Sequence, residues 1–85
     1  MRQIRFCSHA QQKFEILRQH GFPVDRKQII ETLKRPDKIE RGFNNKWIAQ
    51  KGITKEHVLR VVFEKKGRIT TVITFYPGRR SYYES

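Results

Sequence analysis

The hydrophobic pattern of this chain changes period near residue 37, and that change restricts the fold more than any other feature of the sequence. Before it, apolar residues recur every three to four positions, first as Ala10, Phe14 and Leu17 and then as Ile29, Ile30 and Leu33. After it, they alternate: Leu59, Val61 and Phe63 share one face against Val58, Arg60, Val62 and Glu64, and Ile69, Thr71, Ile73 and Phe75 share another. A period near 3.6 lays side chains along one stripe of a helix, and a period of two lays them on one face of a strand. The first stretch therefore predicts helices and the second predicts a sheet, with Arg60 on the side away from the core residues of its own strand.

Turn and cap residues divide these stretches into elements. Residues 2–7 alternate Ile4 and Phe6 with polar neighbours, as an opening strand does. Ser8 is the expected N-cap of a helix reaching about His20, with Gly21 as its stop. Asp25 followed by Gln28 forms a capping-box pattern for a second helix that Pro36 ends. Residues 39–43 and 46–49 flank Asn44-Asn45, a pair suited to a tight hairpin, and Lys65-Lys66-Gly67 joins strands at 58–64 and 68–76. Pro77-Gly78 is expected to close the last strand. The order β-α-α-β-β-β-β predicts one α+β domain over residues 1–85, two helices on one face of a mainly antiparallel sheet and the other face open to solvent.

Nineteen Lys and Arg against eight Asp and Glu give a formal charge of +11, which on so small a body predicts anionic partners. The excess is +5 over residues 1–35 (eight basic, three acidic) and +6 over residues 36–85 (eleven basic, five acidic). The domain itself, not a tail, is thus basic, and any patch has to be made by folding. Cys7, the single cysteine, reads as a small structural residue in a reducing compartment. With no apolar run long enough for a membrane span and none of the kind a signal peptide carries, a cytoplasmic protein with no membrane partner is expected.

The sequence has no Gly-rich phosphate loop, zinc spacing or cluster of carboxylates, so no metal or cofactor is expected. What remains is a basic and aromatic set: Arg60, Tyr76, Arg79, Arg80, Tyr82 and Tyr83, with Lys13 and Lys46 as further phosphate contacts. Arg binds phosphate bidentately, and an exposed Tyr is a platform on which unpaired bases stack. These are the residue types of an RNA-binding surface.

Several segments resemble a known type. They are Phe6-Cys7-Ser8-His9-Ala10, Gly21 before a short second helix, the run from His57 to Glu64, Val72-Ile73-Thr74-Phe75-Tyr76-Pro77, and the closing Arg79-Arg80-Ser81-Tyr82-Tyr83. Together they resemble a family of small uncharacterised bacterial and archaeal proteins that is similar to the RelE/ParE-like and BrnT-like toxins of type II toxin-antitoxin systems. The resemblance implies a RelE-like fold, a ribonuclease acting on mRNA, often at the ribosome, and a cognate antitoxin covering the active surface. ParE-like members are similar in shape and target gyrase instead. By resemblance, Arg60 and Arg80 would clamp phosphate, and Tyr83 or Tyr82 would stack or orient a base.

Metal-free cleavage by a 2′-hydroxyl needs a base, cations for the charge building on phosphorus oxygens, and an acid for the departing oxygen. The arginines suit the second role. For the base, His9 at the start of the first helix and His57 at a strand entry are the natural candidates. Each also has an ordinary structural explanation. The expected activity is that of a metal-independent endoribonuclease toxin, with two alternatives: a non-catalytic RNA- or DNA-binding module, and a protein-interaction domain or inactive toxin relative.

Overall fold

In a computed structural model that describes residues 3–84, the chain forms β1 (Gln3–Phe6), α1 (Ser8–Gln19), α2 (Arg26–Lys34), β2 (Lys38–Arg41), β3 (Trp47–Gly52), β4 (His57–Lys66), β5 (Ile69–Arg79) and α3 (Arg80–Tyr83). The class is α+β, as expected. The order differs by a closing helical turn, and the sheet is mixed: the strands run β1-β5-β4-β3-β2, with β1 parallel to β5 and the other pairs antiparallel. The expected strand start at Arg2 lies outside the described residues. Among those residues, no helix is long and apolar enough to cross a membrane.

Local chemistry explains most element boundaries. Gly21 takes φ +78°, Phe22 N–H donates to Leu17 O and Gly21 N–H to Arg18 O, a Schellman closure of α1. Asp25 and Gln28 form the reciprocal capping box of α2. Asn44 and Asn45 both adopt positive φ, 54° and 61°, so the β2–β3 hairpin has the turn their short polar side chains permit. Ser8, however, is the first helical residue and not the cap. Cys7 takes that position without a side-chain cap bond, because its N–H donates to Val72 O and its Sγ–H to Ile73 O, holding it extended beside β5.

The core lies between the helices and one sheet face. Ala10, Leu17, Val24, Ile29, Leu59, Val61, Val72 and Phe75 are buried there, with Phe14 stacked obliquely between Phe6 and Phe75. Each fully buried large side chain contributes roughly 1.5–3 kcal/mol from water exclusion. The expected face assignment of β5 holds only in part. Phe75 pairs with Val61, yet Phe63 pairs with Val72, so Ile73 is an extra residue in a β-bulge. The bulge reverses the alternation, and Val72 and Thr70, not Ile73 and Thr71, are buried beyond it.

Pro77-Gly78 does not close β5. Strand pairing continues through Pro77 opposite Leu59 and Gly78 opposite Val58 to Arg79 opposite His57. The strand tolerates proline here because β1 pairs only with Ile69–Val72, which leaves β5 an edge strand at Pro77.

Candidate nucleic-acid interface

The face of the sheet away from α1 and α2 is built from cross-strand rows. One row runs Lys38, Gln50, Arg60 and Tyr76 across β2, β3, β4 and β5, and the next runs Glu40, Ile48, Val62 and Thr74. A third row, Gly52, Val58 and Gly78, has glycine on both flanks. The C-terminal turn lies on that third row. A Cβ on Gly78 would meet the Tyr83 ring at 2.3 Å, and one on Gly52 would meet the Arg80 guanidinium at 2.1 Å. Two missing side chains thus form the bed for α3, and Val58 beneath it is fully buried.

Arg60 is the centre of this face. Its Nε donates to Tyr76 Oη at 3.0 Å, and its Nη1 donates to Glu40 Oε1 at 3.0 Å and to Gln50 Oε1. The Tyr83 ring covers it at 4.1 Å, a cation–π contact, with the Tyr76 ring at 5.8 Å. Only 4% of the residue is exposed. Burial works against the charge on Arg60, but the bonds to Tyr76 and Glu40 outweigh it and the guanidinium stays charged. The Arg60 hydrogen bond in turn holds the Glu40 carboxyl below the usual range, helped by Lys38 at 3.4 Å. Burial beside Tyr76 pushes the Tyr83 phenol upward, so it stays protonated at neutral pH.

The remaining expected residues divide by side. Tyr82 is 75% exposed and meets Tyr83 edge-on at 4.8 Å, leaving a free ring at the border of the site. Arg80 donates from Nε to Thr54 O and from Nη1 to Glu84, clasping the turn. Arg79 lines a polar recess with Lys55, Glu56 and Arg80 at the end of the sheet. Lys46 belongs to the β2–β3 hairpin, on this same face. Lys13 is half-buried on α1, in the opposite layer.

Neither histidine faces Arg60. His57 alternates with Leu59 and Val61 toward the helices, where its ring meets Phe22 edge-on at 5.1 Å and its Nδ1 lies 3.3 Å from Thr54 Oγ1. His9 is exposed on α1, across the sheet. The group beside Arg60 able to take a proton is instead Glu40, which the sequence reading left out. Glu40 and Gln50 sit ten to twenty positions from Arg60, and only the pairing register joins them. Among the described residues, no three His, Cys, Asp or Glu side chains gather to hold a metal ion. Compared with known proteins, the chain matches no family model, no curated protein and no solved structure.

Proposed function

We propose that the protein is a single-stranded RNA-binding domain of the RelE-like toxin type, working through the open face of its sheet. The observation that carries this reading is the exposed Tyr82 ring, set edge-on to Tyr83 at the border of the Arg60 cluster, on a chain of net charge +11. An exposed phenol ring such as that of Tyr82 suits an unpaired base, and a surplus of cations attracts the phosphate chain. A cognate antitoxin would be the natural competitor for the same face.

Metal-independent cleavage of RNA is the second reading, and Glu40 is the observation in its favour. Its carboxylate stands 3.0 Å from the Arg60 guanidinium, the juxtaposition of base and phosphate-binding cation that 2′-hydroxyl attack needs. In the resting arrangement Arg60 is committed to Glu40, Gln50 and Tyr76 and covered by Tyr83, so substrate would have to displace the ring. Binding without cleavage is therefore the simpler use of this geometry.

One experiment separates the two. Purified protein is incubated with single-stranded RNA in EDTA, with and without ribosomes, and binding and chain integrity are followed together. Salt-sensitive binding of intact RNA is the expected result, weakened by Tyr82→Ala. Cleavage that disappears in Glu40→Gln, with binding retained, would establish the second reading. Absence of binding even at low salt would exclude both.

A further inference from the structure

The β2–β3 hairpin carries a second aromatic and basic group outside the Arg60 cluster. Phe43 is 91% exposed, the most exposed large apolar residue among the described residues, and the positive φ of Asn44 and Asn45 turns the chain just beyond it. Behind it, Arg41 stacks on Trp47 at 5.1 Å and stiffens the hairpin. On the open face, Phe43 borders a groove of about 490 Å³, with Ile48 and Val62 among its walls and Lys46 at its mouth. No acidic residue lines it. Val62 is two positions along β4 from Arg60, roughly 7 Å at strand spacing, so the groove continues the track that the Arg60 row begins.

We infer that this groove is a second subsite for single-stranded RNA, taking one unpaired base against Phe43 while Lys46 holds the adjoining phosphate. The inference rests on the RNA-binding reading and adds to it the place of a flanking nucleotide. A fully exposed aromatic ring beside an apolar groove offers a flat ligand a face to stack on. An apolar floor with the Lys46 ammonium at its mouth matches a base and its phosphate. A second copy of this chain fits worse, because each brings a charge of +11 to the contact.

The test uses fluorescence anisotropy of a short labelled 2′-O-methyl oligouridylate, which the 2′-hydroxyl route cannot cleave. Phe43→Ala is expected to weaken binding about tenfold, at the lower end of base–aromatic stacking, without changing the salt slope. Phe43→Trp is expected to keep the affinity and to show quenched indole emission on binding. Lys46→Gln should reduce the salt slope by about 0.7, the loss of one phosphate contact on a single strand. On double-stranded RNA, whose bases are already paired, Phe43→Ala should change nothing. Wild type and Phe43→Ala binding the oligouridylate equally well would overturn the subsite while leaving the RNA reading intact. An equal loss on single and double strands would also overturn it, since base contact would not be the cause. No binding by wild type at low salt would remove the RNA reading and the subsite together.

Discussion

Arg60 illustrates how much one buried charge asks of its neighbours. Its strand places it on the open face, where Glu40, Gln50 and Tyr76 answer its donors and Tyr83 shields it. Removing only the cation leaves a carboxylate, an amide and a phenol without their partner, which is more damaging than never having had the pair. Arg60→Met is expected to lower stability by about 2 kcal/mol, less than the roughly 3–5 kcal/mol of a fully enclosed pair because Glu40 keeps contact with water. Denaturant titration of Arg60→Met and of Arg60→Met/Glu40→Leu checks this, and the double variant should recover part of the loss. The same pair predicts a pH response. Since Arg60 depresses the Glu40 carboxyl in the folded chain, its contribution is complete above the ordinary value of 4.5 and disappears as pH falls through the lower folded value. Stability measured from neutral pH to well below pH 4.5 should decline more in wild type than in Glu40→Gln, and parallel curves would refute the assignment.

At the scale of elements, α3 is the clearest case of a structure made by what is absent. A four-residue turn cannot hold itself together, and this one is kept by the glycines beneath it, the Arg80–Glu84 clasp and a bond from Lys38 Nζ to Tyr83 O at 3.1 Å. Gly78→Ala puts a methyl group where the Tyr83 ring lies, and the ring has to leave Arg60. The expected outcome is faster tryptic cutting after Arg79 and Arg80, with the rest of the domain resistant; an unchanged digestion rate would count against the docking. Gly52→Ala should be milder, since the atom it meets is the end of a flexible arginine. The bulge at Ile73 works in the opposite sense, by addition. One extra residue exchanges the faces of β5, which is why the simple alternation read from residues 69–75 assigns Val72 to the wrong side.

For the whole molecule, the charge of +11 means that folding gathers like charges as well as apolar groups. Salt screens that repulsion and also competes for the phosphate contacts of a bound strand. Raising potassium chloride from low to moderate concentration should therefore increase the thermal midpoint of the free protein while weakening RNA binding. Melting curves and anisotropy on one sample series would show the two trends, and a midpoint that falls with salt would mean that ion pairs, not repulsion, dominate the surface. The layered architecture assigns the two sheet faces different work. One face is packed with Leu59, Val61, Val72 and Phe75 under the helices, and the other is left to Arg60, the terminal tyrosines and the hairpin.

What the amino-acid sequence determined unaided is the set of local outcomes: both long helices and their stripes, the capping box, the Gly21 stop, the Asn44-Asn45 turn, and Arg60 facing away from the core. Each follows from dihedral preferences and periodicity within a few residues, which need no partner from elsewhere in the chain. Tertiary structure alone decided the parallel pairing of β1 with β5, the bulge, the transfer of the cap from Ser8 to Cys7, and the meeting of Glu40 and Gln50 with Arg60 beneath Tyr83. It also decided that both histidines stand on the far side from that cluster. Strand register and sheet order depend on contacts between segments tens of residues apart, and a linear pattern carries which face a residue takes but not which neighbour it meets there.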